Sequence, residues 1–184
     1  MQNEFITALG LAEWEEEVVV LLEKYDVPEV EELDEDEDDY IRDSKDHFMR
    51  FLFDNMCDTT KQIARKAEEN FYLQAVIFHF DLRYYKKDIA RVDIPWGIDE
   101  KSDYSSVIAT IGEPHFEPKK QNLTTAPNIR KFWVFKKADG EKYEVMIRFV
   151  NDESLKVHQL TVNVYREDRT YDTEIPHSYD PLKR

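Results

Sequence analysis

The sequence predicts an α+β protein in which antiparallel sheet carries short helices on one face. Aromatic and β-branched runs of strand length occur at 71–80 ("FYLQAVIFHF") and 155–165 ("LKVHQLTVNVY"). Ala138-Asp139-Gly140 separates two further apolar runs and gives a strong hairpin signal, since Asp-Gly tolerates the backbone of a tight turn. Two apolar-periodic segments of helical spacing each stop at a proline, Pro28 and Pro114.

Along the chain, Leu11 to Tyr25 has the helical period, with Trp14, Val18, Leu21, Leu22 and Tyr25 on one face. Glu29 to Asp39 is a dense carboxylate run whose self-repulsion favours an extended, solvated chain. His47 to Asp54 ("HFMRFLFD") has strand length, and the Asp-Thr-Thr start at Asp58 predicts a short helix or ordered loop to Asn70. A turn and an edge strand ending at Pro95 follow Phe80. Ser102 to Ile111 reads as a short helix capped by Ser102 or Asp103 and stopped by Gly112. The segment from Arg166, with Pro176 and Pro181, reads as a surface extension.

The order helix, proline, polar loop, hairpin, strand occurs twice. At an offset of 96 residues, Asp43-Ser44-Lys45-Asp46 lies over Asp139-Gly140-Glu141-Lys142, and His47, Met49, Phe51, Phe53 over Tyr143, Val145, Ile147, Phe149. The last strands align at an offset of 85, Gln74 over Gln159. The 184 residues thus suit one compact domain, either a single unit or two degenerate helix–loop–three-strand halves (about 1–81 and 82–165), with a C-terminal tail at 166–184.

Composition narrows the function classes. Four glycines in the whole chain argue against glycine-rich phosphate loops. With 25 basic against 40 acidic side chains, the net charge of −15 disfavours nucleic acid and anionic membranes as partners and favours basic ones. The lone Cys57 forms no internal disulfide, and the acid-interrupted N-terminus matches neither a signal peptide nor a membrane span, so a cytoplasmic location is expected. His47, His79, His115, His158 and His177 lack metal-ligand spacing, and Cys57 has no partner histidine in its motif. The acidic run lacks the glycine that lets a calcium loop wrap its ion. No catalytic residues, cofactor or metal are expected, and the reading is of a non-enzyme.

The middle of the chain, from about Tyr72 to Tyr165, resembles a bacterial family of immunity proteins from polymorphic-toxin, type VI secretion and contact-dependent inhibition systems. Ile94-Pro95-Trp96-Gly97-Ile98 resembles the family's leucine–proline–aromatic–glycine–leucine element. Ile111-Gly112-Glu113-Pro114 resembles its leucine–glycine–x–proline, and Trp133 its tryptophan strand. The resemblance implies a BamE-like layout and binding of a cognate toxin, with no shared catalytic residues. A basic toxin fits the charge, so the candidate contact residues are Asp34, Glu35, Asp36, Glu37, Asp38 and Asp39, with Tyr84, Tyr85 and Tyr104 as aromatic anchors. The alternative is an adaptor or regulatory binding protein without a toxin partner.

Overall fold

The computed structural model describes residues 3–30, 39–55, 71–80, 92–115, 128–150 and 153–165. Alternating side chains leave a strand on opposite faces, so a run such as Met49, Phe51, Phe53 commits one face to burial. Six strands form on this basis: β1 (Asp39–Asp43), β2 (Met49–Asp54), β3 (Tyr72–His79), β4 (Asn128–Lys136), β5 (Lys142–Val150) and β6 (Val157–Val164). They make one sheet of order β1-β2-β3-β6-β5-β4, and every ladder is antiparallel. Two consecutive meanders therefore meet at β3 and β6, paired from Ala75↔Asn163 to His79↔Gln159. With helices α1 (Glu4–Ala8), α2 (Glu16–Lys24) and α3 (Tyr104–Ile111), the fold is α+β.

The helices share one apolar core with the sheet. Phe5 of α1, Val18 and Leu21 of α2, and Val107 and Ile111 of α3 cluster with Phe51, Val76, Phe78, Val145, Ile147, Leu160 and Val162. Burying each such large side chain stabilises by about 1.5–3 kcal/mol. Trp133 of β4 is fully buried, and its indole N–H donates to the Gly112 carbonyl at 2.9 Å. That bond ties the end of α3 to the sheet. Gly112, at φ 87°, stops the helix, and Asp103 caps its start in a reciprocal box with Ser106.

The two meanders are built alike. A bulge interrupts β2–β3 between Leu52 and Phe53, with Gln74 as the extra residue, and β5–β6 between Arg148 and Phe149, with His158 as the extra residue. Aligning the bulges carries β2 onto β5 at an offset of 96 and β3 onto β6 at 84, because Met49 pairs with Phe78 where Val145 pairs with Val162. The offset of 85 expected for the last strands is thus one residue too long. At 84, core-facing Leu73, Val76 and Phe78 overlie core-facing Val157, Leu160 and Val162. At 85, Val76 would overlie Thr161 on the opposite face, since a one-residue slip inverts a strand.

Other local differences have physical causes. The helix expected over Leu11–Tyr25 starts only at Glu16, because the backbone before it pairs with the start of β3. Leu73 N–H donates to the Leu11 carbonyl and Glu13 N–H to the Phe71 carbonyl, both at 2.9 Å. Trp14 is consequently 63% exposed, not on a buried face. The five-residue α1, capped by Asn3, is too short for the helical period to reveal. Val92–Ile94 is not a strand, and Pro95 opens a 3-10 turn in which Trp96 (φ 59°) lies 5.5 Å from the Phe135 ring. Among the described strands, β1 and β4 are the edges of the sheet. His47, expected in strand alternation, sits in the β1–β2 turn at φ 56°. The segments 58–70 and 81–91, the tail at 166–184 and the acidic run at 31–38 lie outside the described residues.

Trp133→Ala is expected to lower unfolding free energy by about 3–5 kcal/mol in urea titration, since it removes a large buried ring and leaves the Gly112 carbonyl without its donor.

Candidate binding surface

Asp34, Glu35, Asp36, Glu37 and Asp38 lie outside the described residues, as do Tyr84 and Tyr85. Asp39 opens β1, is exposed, and faces Asp54 across the ladder. Tyr104 opens α3 near the opposite sheet edge, so the structure does not bring it together with Asp39. Its half-buried ring meets Phe149 edge-on at 5.3 Å, and the Lys131 ammonium stands 5.4 Å from its centroid. The chain's own residues hold this tyrosine.

A groove of about 430 Å³ lies where α2 and the segment after it run beside edge strand β1. Its floor is apolar, from Val19, Leu22, Val27, Val30 and Tyr40, and Glu13, Glu23 and Glu29 form its rim. Arg42, whose side chain is only 6% exposed, braces it. The guanidinium donates to Glu13 Oε1 at 2.8 Å, to the Pro28 carbonyl at 2.9 Å and to the Val27 carbonyl at 3.3 Å. One side chain thereby fixes the chain after α2 to β1 and satisfies two carbonyls that the turn leaves unpaired. Tyr40 stacks on Phe53 at 5.0 Å and meets Phe71 edge-on at 4.8 Å. Burial, and then the neighbouring Glu13 carboxylate, push its phenol far above the usual range, so it stays neutral. Glu23 and Glu29 face no cation among the described lining other than Arg42, which Glu13 already engages.

A second concavity of about 340 Å³ lies at the Pro-Trp-Gly corner, between Val92–Ile94 and Asp99–Lys101. The Asp99 carboxylate there accepts the backbone N–H groups of Lys101 and Ser102, at 3.0 and 3.1 Å, and so closes a turn. Among the described residues, no three His, Cys, Asp or Glu side chains gather as a metal site. His115 accepts from Val134 N–H at 2.8 Å and serves β4, while His47 stands 3.6 Å from Asp43. Burial first, then the charge of Arg50, lowers the pKa of half-buried His79.

Searches against family models, curated proteins and solved structures match nothing to this chain. Among the described residues, no helix is long and apolar enough to cross a membrane. The acidic run at 31–38 lies outside the described residues, and the sequence reading missed Glu13 and Arg42. The available signal was Arg42 itself, the first basic residue after the carboxylate run, at the same strand parity as buried Tyr40.

Arg42→Ala is expected to cost about 1–3 kcal/mol in thermal or urea unfolding, because it leaves the buried Val27 carbonyl without its donor and removes the bond to the Pro28 carbonyl. His79 disfavours its proton in the folded state, so the unfolded chain binds more protons below its ordinary pKa of about 6.5. Stability should therefore decline as pH falls through that value, and His79→Gln should flatten this part of the profile.

Proposed function

We propose that this protein is a non-catalytic inhibitor that binds and occludes a basic protein toxin, as an immunity protein does for the cell that makes it. The observation that carries the reading is an acid-rimmed, apolar-floored groove at a sheet edge in a chain of net charge −15. Carboxylates of one sign steer a basic partner and raise its association rate, while the apolar floor supplies contact that survives after encounter. The motif order Ile94 to Ile98, Ile111 to Pro114 and Trp133 supports the immunity reading by resemblance. In this reading the protein acts in the cytoplasm, where the toxin's target lies.

Co-expression with the C-terminal toxin domain encoded by the adjacent gene tests it. Restored growth and a joint peak on a sizing column are expected, and continued toxicity with no complex overturns the reading. Neutralising Asp34 to Asp39 should slow association at low salt and change it little at high salt, measured by stopped flow.

A further inference from the structure

The two meanders provide an internal comparison at their outer edges. Leu73 N–H bonds to the Leu11 carbonyl and Glu13 N–H to the Phe71 carbonyl. In the second unit Val157 N–H bonds to the Ser102 carbonyl and Tyr104 N–H to the Leu155 carbonyl. These matched bridges place Glu13 and Tyr104 at equivalent positions. The edge ladders do the same for β1 and β4: Tyr40 pairs with Phe53 as Ile129 pairs with Phe149, which makes Arg42 the counterpart of Lys131.

The same site is therefore built twice with different chemistry. In the second unit Tyr104 lies against Phe149 and under Lys131, and a recess of only about 120 Å³ is left among Tyr104, Ile129, Lys131, Phe149 and Leu155. In the first unit a carboxylate replaces the ring. Glu13 draws Arg42 inward at 2.8 Å, and a groove of about 430 Å³ stays open beside them. Val19 and Val30, 37% and 38% exposed, line it together with Glu23 and Glu29, which pair with no cation among the described residues. The groove thus joins a small apolar surface to two exposed carboxylates, a combination complementary to a side chain that is apolar with a cation beside it.

We infer that the groove between α2 and β1 is the docking site for a partner segment presenting an apolar side chain flanked by lysine or arginine. The apolar side chain meets Val19, Leu22, Val27 and Val30, and the flanking cations reach Glu23 and Glu29. The charge of Arg42 is offset by the Glu13 carboxylate it bonds, which limits its repulsion of those cations. The inference rests on the inhibitor reading and names the surface that reading uses.

The test uses the full chain and two short peptides of equal charge, one alternating leucine and lysine, the other lysine alone. Methyl NMR should place the shifts from the alternating peptide at Val19, Leu22, Val27 and Val30, and it should bind more tightly than oligolysine. Glu23→Lys with Glu29→Lys, both exposed and checked for folding by circular dichroism, should weaken it about tenfold. Lys131→Gln, in the second unit, should leave it unchanged. Equal affinity for the two peptides, shifts outside the groove, or an unaffected double variant overturns the inference. A toxin that binds wild type and double variant equally overturns the groove and keeps the inhibitor reading. Groove-specific peptide binding without toxin neutralisation keeps the groove and overturns that reading.

Discussion

The antiparallel pairing of β3 with β6 is the constraint on which the rest depends. A three-stranded meander has one apolar face and two open edges, and joining two such units by their third strands removes the inner edge of each. The register from Ala75↔Asn163 to His79↔Gln159 puts Val76 and Phe78 on the same face as Leu160 and Val162. Only then can α1, α2 and α3 cover one continuous apolar surface. The matching bulges at Gln74 and His158 keep that face apolar on both sides of the join, by turning each strand through the same extra residue.

Once the centre is paired, the free edges fall to β1 and β4, and the two units diverge there. A short bridge clamps the chain before each helix to the start of the third strand, Ala12 to Tyr72 and Asp103 to Lys156. It delivers one side chain, Glu13 or Tyr104, over the edge strand to a cation, Arg42 or Lys131. A ring fills its space and closes the site. A carboxylate is smaller and attracts the guanidinium inward, which leaves room. Constant geometry with changed side chains thus separates a packed edge from an open one.

Charge acts at a longer range than this packing. The carboxylates around Glu23 and Glu29 add to a field already set by a net charge of −15, and that field acts before contact. Apolar contact, in contrast, needs the floor that Arg42 holds in place through the carbonyls of Val27 and Pro28. The buried guanidinium is in this sense architectural: its positive charge is spent on Glu13 and the backbone.

The α+β class, the strands β2, β3 and β6, the Asp-Gly hairpin and the Asp103-to-Gly112 helix were legible in the sequence. Each rests on local rules: alternation, turn chemistry and capping. The start of α2, the one-residue difference in the offset that carries β3 onto β6 in the repeat and the existence of α1 were not. All three are decided by hydrogen bonds and packing between residues distant in the chain, such as Leu73 to Leu11, and helical periodicity over Leu11–Tyr25 carries no trace of them. For the site, composition determined the acidic character and the preference for a basic partner, because charge adds up regardless of fold. Which carboxylates stand over an apolar floor was decided by tertiary structure alone, because Glu13, Glu29 and Arg42 meet only when the edge of the sheet is built.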